Sequence, residues 1–307
     1  MIVTVSLNPC LDWVYEVDEI VIGGLNRVNF TRQDIGGKGI NVCNALNNLG
    51  LSPVCTGFNF VEGADILTEK LRGINHDFVT VNAPLRVNIK VYSGGVMTEF
   101  NQPGAVVSDV DVKLLLEKIS SYNSEDAVLV LSGSLPKGVP AETYSRICKG
   151  WNGKIFLDTY GEALLRVLET SPPFVVKPNL FELTATFNTK LDSPLEITEF
   201  CRENLINKGV YAACVSMGAD GAVLVSKNNA WYSPALKIQA LGVQGAGDAM
   251  VAGLLFALHN NYDVKEYLPA AMAAASASAC LEGTEMCSFE GFMDKLPIAK
   301  DYVRICR

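Results

Sequence analysis

The chain has 307 residues, with 25 Lys and Arg against 33 Asp and Glu and a formal net charge of −8. An acidic chain without a basic run excludes nucleic acid and anionic membrane surfaces as main partners, so any phosphate must be met by a local basic patch. With 49% hydrophobic and 19% charged residues, it can bury a large core, and no apolar run reaches membrane-spanning length.

The first element, Ile2-Val3-Thr4-Val5-Ser6, is β-branched and predicts a strand over 2–6. It lacks the charged n-region and long h-region of a secretory leader, so a cytoplasmic protein is expected. Asn8-Pro9-Cys10-Leu11-Asp12 follows, a turn that presents Asp12 at the carboxyl end of the strand. Short extended stretches near 13–17 and 28–32 come next, broken by Gly23-Gly24. Gly36-Gly37-Lys38-Gly39 then opens an amphipathic helix over 40–49, stopped by Gly50. Residues 85–101 alternate as strands do around Ser93-Gly94-Gly95, which predicts a hairpin. Arg86, Asn88 and Lys90 then share one face, and Val87, Ile89 and Val91 the other.

Beyond residue 108 the rhythm is strand, loop, helix. A helix over 109–122 precedes a buried strand over 127–131, ending in Ser132-Gly133-Ser134-Leu135-Pro136. Strands over 154–157, 174–176 and 211–215 run into Asp158-Thr159-Tyr160-Gly161, Lys177-Pro178-Asn179 and Ser216-Met217-Gly218-Ala219-Asp220-Gly221. Apolar strands alternating with helices imply an α/β fold, with a parallel sheet covered on both faces. Polar and glycine residues collect just after strand ends, where such sheets place ligands. The short strands near 12–35 and 85–103 stand outside this rhythm and form a small separate sheet, a lid. No repeat or linker divides the chain, so a single domain over 1–307 is expected.

The sharpest chemical signal is Gly245-Ala246-Gly247-Asp248, running directly into the apolar, helix-forming residues 249–258. Unpaired N–H groups at such a helix start, with the positive end of the helix dipole, bind anions. If the anion is a transferring phosphoryl group, Asp248 stands where a base takes the proton of an attacking alcohol. The plainer alternative is an aspartate that only caps a helix. The dipole is expected to favour the ionised form of Asp248. Asn179-x-x-Glu182 fits a capping box, and Asp220-Gly221 before an apolar run fits a hairpin turn. The nine cysteines, at 10, 43, 55, 148, 201, 214, 280, 287 and 306, form no CxxC pair and suit a reducing compartment as buried structural thiols. His76 and His259 lie apart, so a His/Cys metal site is not expected.

Six segments in this order resemble the PfkB/ribokinase family of carbohydrate kinases, and most closely its 1-phosphofructokinase and tagatose-6-phosphate kinase branch. They are Asn8-Pro9-x-x-Asp12, the Gly36–Val42 run, Ser132–Pro136, Lys177-Pro178-Asn179-x-x-Glu182-Leu183, Ser216-x-Gly218-Ala219-x-Gly221 and Gly245–Asp248. The resemblance spans nearly the whole chain. It implies a ribokinase-like three-layer α/β/α fold with a mostly parallel sheet and a β lid. It also implies a kinase using ATP and Mg²⁺, with a ketohexose monophosphate as acceptor: fructose 1-phosphate first, tagatose 6-phosphate next.

The same resemblance implies a division of labour. Asp248 is the base, Gly245, Ala246 and Gly247 form the anion turn with it, and the N–H groups of Ala246, Gly247 and Asp248 stabilise the γ-phosphoryl group. Asp12, Arg27, Gly37, Lys38, Asn41, Arg86, Asn88, Lys90 and Ser134 hold the acceptor. Lys177, Asn179, Ser216, Gly218, Ala219, Gly221, Gly247 and Gly283 hold the nucleotide. Glu182 holds Mg²⁺ through water. Lys137 is either a solvated turn lysine or a sugar-phosphate ligand. Two departures stand out. Gly242-Val243-Gln244 replaces the usual residues before the anion turn, so a monovalent-cation requirement does not carry over. Tyr160 replaces a serine and is expected to narrow the nucleotide site. A lid with an exposed apolar face needs covering, which suggests a homodimer through the lid. Two other readings stay open: a non-catalytic sugar- or nucleotide-binding member, and a kinase of an unphosphorylated sugar. No Gly-x-Gly-x-x-Gly follows the first strand, which disfavours a dinucleotide-binding dehydrogenase.

Overall fold

A computed structural model describes residues 1–305. The main sheet has ten strands, numbered here in chain order. Its parallel part runs β5 (Asn75–Pro84), β4 (Val54–Glu62), β1 (Ile2–Ser6), β8 (Val128–Ser132), β9 (Lys154–Asp158), β10 (Val175–Val176) and β11 (Ala212–Ser216). Three antiparallel strands complete it: β12 (Ala222–Ser226), β13 (Ala230–Ser233) and β14 (Arg304–Ile305).

Both faces of the sheet are buried, and side chains one residue apart enter opposite cores. On one side Val130, Phe156, Cys214 and Leu224 pack with α1 (Lys38–Asn48), α8 (Ala246–His259), α9 (Tyr267–Ala279) and α10 (Phe289–Tyr302). On the other, Leu129, Leu157, Val215 and Val225 pack with α2 (Ala64–Lys70), α3 (Asp109–Ser121), α4 (Thr143–Lys149), α5 (Gly161–Thr170), α6 (Leu180–Phe187) and α7 (Pro194–Asn204). This is the three-layer α/β/α arrangement expected. The first turn of α1 rides directly on β1: a Cβ at Gly39 would collide with the carbonyl of Val5. Only glycine lets Lys38 and Asn41 come this close to the sheet.

Strand register lines up the carboxyl ends of neighbouring strands. Ser6 pairs with Ser132, and Ser132 with Asp158. Crossovers leave β1 towards β4 on one side and β8 on the other, which opens a crevice at this edge.

The lid is a second sheet, ordered β3 (Phe30–Gly36), β2 (Cys10–Val17), β6 (Arg86–Ser93), β7 (Val96–Asn101). It occupies the two segments expected, although β2 and β6 run parallel. Its burial is inverted relative to an ordinary sheet. Asp12, Asn88 and Lys90 are buried, while Phe30, Ile89, Val96 and Phe100 face outwards. Eight cysteines are free thiols, seven of them buried. Cys306 lies outside the described residues.

Candidate active site

Gly245 ends the preceding loop with φ +75°, the left-handed region that favours glycine, and forms the N-cap of α8. No side chain caps this helix, so Asp248 is not a cap. Its carboxylate is buried, and Oδ2 accepts a hydrogen bond from Asn41 Nδ2 at 2.8 Å. The dipole does not decide its protonation. Burial, and then the neighbouring Asp158, push the carboxyl up to about 6, against the pull of Lys38, Asn41 and Lys177. It is still ionised at pH 7, but as a much stronger base than a surface aspartate.

Around Asp248 the loops after β9 and β10 and the start of α1 bring four more charges together. Lys38 Nζ lies 3.2 Å from Asp158 Oδ1 and 3.1 Å from Glu182 Oε1. Lys177 Nζ lies 3.5 Å from the same Asp158 oxygen. Burial opposes the charge of Lys38, but Asp158, Glu182 and Asp248 outweigh it and hold the ammonium protonated. Asp158 Oδ2, buried, has no hydrogen-bond partner. The capping box is real: Asn179 Oδ1 accepts from the Glu182 amide at 2.7 Å, and Glu182 Oε2 from the Asn179 amide at 2.9 Å. That leaves Glu182 Oε1 facing Lys38, so capping and a role in the site coexist.

Two cavities meet at this cluster. The larger, about 1230 Å³, is bounded by Lys177, Asn179, Glu182, Ser216, Gly218, Ala219 and Gly221, and continues past Ala246 and Gly247 to apolar walls at Leu236, Ile238 and Met272. The Ser216–Gly221 segment is both a turn joining β11 to β12 and a wall of this cavity. The smaller, about 350 Å³, lies under the lid between Asp12, Gly37, Lys38, Asn41, Arg86, Lys90, Ser134 and Gly245. There Asp12 Oδ1 accepts from Asn88 at 2.9 Å, and Oδ2 from Lys90 at 2.7 Å. Arg86 donates to the carbonyls of Asn8, Pro9 and Gln102. Among the described residues it pairs with no carboxylate. Asn8 Nδ2 donates to Ser134 Oγ at 3.1 Å, closing the floor.

Several expected positions fall elsewhere. Arg27 is exposed on the connection between β2 and β3 and lines neither cavity; the whole of residues 18–29 is exposed there. Gly283 does not border the larger cavity. It packs where a Cβ would strike Arg32 and Asp34 of the lid, and Arg32 pairs with Glu282 at 3.1 Å. Tyr160 lines the smaller cavity, not the larger, since the backbone turns after Asp158 and carries it towards Ser134. Lys137 is exposed and lines neither. The sequence assigns no site role to Asp158, Gln244 or Thr284, although Gly242-Val243-Gln244 stands out as a departure before the anion turn. Asp158 follows an apolar strand directly and Gln244 precedes the anion turn, positions that could have flagged both.

Two cavities that share Lys38 and Gly245 at the carboxyl ends of the strands, with a buried carboxylate on the wall of the larger and a helix start beside both, suit an enzyme that moves an anionic group from one ligand to another. The model for the pfkB family of carbohydrate kinases matches residues 4–290, and the chain belongs to this family. It is 35% identical over 292 residues to 1-phosphofructokinase of Bacillus subtilis (strain 168), covering 93% of this chain and 95% of that protein. The solved structure of phosphofructokinase-2 from Escherichia coli in complex with substrates and products superposes with a TM-score of 0.90 at 29% identity, over 97% of this chain and 99% of that one. Ribokinase from Thermotoga maritima, 21% identical, superposes with a TM-score of 0.77 over 96% of this chain and 99% of that one, so the fold is ribokinase-like. The protein is a phosphofructokinase-type sugar kinase, a phosphotransferase with an alcohol acceptor.

Turnover should fall as pH drops through about 6, where Asp248 gains its proton. Asp248→Asn should lower kcat on the order of 10²-fold or more and flatten this limb of the pH profile. Folding raises the proton affinity of this carboxyl, so its contribution to stability declines as pH rises from the ordinary 3.8 through about 6. Asp248→Asn should therefore melt no lower than wild type at pH 7.5, with any advantage shrinking at pH 5. A variant that is inactive because it is unfolded would fail this calorimetric check.

Proposed function

We propose that this enzyme transfers the γ-phosphoryl group of ATP to a hydroxyl of a ketohexose monophosphate, fructose 1-phosphate before tagatose 6-phosphate, giving a bisphosphate. The observation that carries the reading is Arg86. In an acidic protein, a guanidinium held by backbone carbonyls and Asn88 Oδ1, with no carboxylate partner among the described residues, sits in a cavity of about 350 Å³ also lined by Lys38 and Lys90. Such a cavity suits a small anion, and a fixed guanidinium suits bidentate contact with phosphate. The 1-phosphofructokinase names of the relatives support the same acceptor.

The chemistry follows from position. A nucleotide in the larger cavity would direct its terminal phosphate at the Gly245–Gly247 turn, where the first N–H groups of α8 and Lys38 meet growing negative charge. An acceptor anchored by Arg86 would present a hydroxyl to Asp248, which takes its proton late, as the bond to phosphorus forms. Asn41 holds the accepting carboxylate in place. Asp12, tied by Asn88 and Lys90, is placed to accept from sugar hydroxyls.

The residues present fit Mg²⁺. Asp158 has an unpartnered buried oxygen and Glu182 Oε1 faces the same space, hard oxygen donors such as the ion takes alongside water and phosphate. No cluster of three or more candidate ligands occurs among the described residues, which suits an ion that arrives with its nucleotide. When bound it would supply positive charge to the phosphates. No helix among the described residues is long and apolar enough to cross a membrane. Buried free thiols suit the cytoplasm.

The outward apolar face of the lid, with Phe30, Ile89, Val96 and Phe100, is best covered by a second lid in a homodimer. Light scattering should give twice the 33.1 kDa chain mass at micromolar concentration, and a monodisperse monomer would contradict this.

Arg86→Ala tests the acceptor. It removes a contact present in both the ground and transition states. It should raise KM for the phosphosugar by roughly 1.5–3 kcal/mol with kcat less affected. The preference over the unphosphorylated sugar should narrow. If free fructose is penalised as heavily as its phosphate, the enzyme is a sugar kinase not built for a phosphorylated acceptor.

A further inference from the structure

Gln244 stands immediately before Gly245 and lines the smaller cavity. Its carboxamide Oε1 accepts from Lys90 Nζ at 3.0 Å, and Nε2 lies 3.3 Å from Met97 Sδ. The orientation is unambiguous: a flipped amide would set its NH₂ against the Lys90 ammonium, donor against donor. The carbonyl is thus well used and the NH₂ is not. A thioether is a weak acceptor, and the second N–H has no partner among the described residues. Thr284 lines the same cavity, is buried, and has no hydrogen-bond partner for its Oγ1 among the described residues. Unspent polar capacity at two positions that line one small cavity is costly in the empty protein and is relieved by a polar ligand.

Lys90 and Met97 belong to lid strands β6 and β7, whereas Gln244 belongs to the turn that starts α8. One side chain therefore connects the lid to the anion turn. We propose that Gln244 is a specificity-determining residue of the acceptor site. When the acceptor enters, the carboxamide NH₂ leaves Met97 Sδ and donates to an oxygen of the sugar phosphate, while its carbonyl stays on Lys90. Thr284 supplies a second hydrogen bond in the same cavity. The inference deepens the phosphosugar-kinase reading and rests on it.

Two variants of similar size test it. Gln244→Leu removes both donors without a large change in volume. Gln244→Glu keeps the shape, removes the donors and puts a carboxylate beside an anionic acceptor. For each, kcat, KM for fructose 1-phosphate and KM for ATP are measured, together with the Kd of fructose 1-phosphate by calorimetry without nucleotide. Gln244→Leu should raise the acceptor KM and Kd about tenfold, a loss of about 1.4 kcal/mol. Its kcat should stay within about threefold and its ATP KM should not change. Gln244→Glu should weaken acceptor binding further. An unchanged acceptor Kd in both folded variants, with wild type active, overturns the inference and leaves the kinase reading standing. So does a parallel rise in acceptor and ATP constants, which marks a residue that only shapes the turn. Wild type that neither binds nor phosphorylates any phosphosugar overturns the kinase reading, and this inference with it.

Discussion

Everything in the site depends on how Lys38 and Lys177 hold three buried carboxylates. Two positive charges face Asp158, Glu182 and Asp248, one charge short of balance. Such a deficit in a low-dielectric interior would be destabilising if every group were ionised and fixed. It is eased by Asp248, the group pushed up to about 6. The imbalance that makes Asp248 a competent base at neutral pH also makes the cluster receptive to added positive charge, as a nucleotide-bound divalent cation would bring. A symmetrical cluster with a third lysine would be more stable and a poorer base. After burial, Asp158 is the neighbour that does most to raise Asp248.

The lid meets a different constraint. Its strands carry polar residues on the face turned towards the protein, because that face roofs a cavity for a polar ligand and is not part of a core. Asp12, Asn88 and Lys90 satisfy one another there. The apolar face is left outside, as the alternation of β6 requires once the polar face is turned in. Recognition of the acceptor and exposure of an apolar surface are thus two consequences of one strand pattern. The polar face is joined by Gln244 to the turn that starts α8, through Lys90 and Met97, so the lid and the start of α8 are mechanically connected.

Much of this was legible in the sequence, for identifiable reasons. The glycine turn before α8, the glycine start of α1 and the alternating 85–101 segment each leave a local pattern whose physics is short-range, and the structure places each as expected. Strands β4 and β5 and helix α2, between 54 and 84, left weaker traces. Gly57 and Asn59 interrupt the apolar run of β4, and the edge strand β5 carries His76, Asp77, Thr80 and Asn82. Asp158 and Gln244 hold suggestive positions in the sequence, but their partners Lys38, Lys177 and Lys90, like the cavity that Thr284 lines, come into view only when distant segments meet. Gly283 lines neither cavity and Tyr160 only the smaller one, because nothing local reveals which way a loop will face. The charge of Asp248 was argued from the helix dipole, but burial and Asp158 dominate, and neither is visible without the fold.

The central claim is that a phosphoryl group passes directly from a nucleotide in one cavity to a hydroxyl of a phosphorylated sugar in the other, with Asp248 taking the hydroxyl proton. ³¹P NMR of the purified protein with ATP, Mg²⁺ and fructose 1-phosphate follows every phosphorus atom directly. The γ-phosphate signal should disappear in step with the growth of ADP and of one new phosphomonoester resonance on the sugar, with no inorganic phosphate accumulating. Release of ADP with inorganic phosphate as the only other product, or an unchanged spectrum, would contradict it.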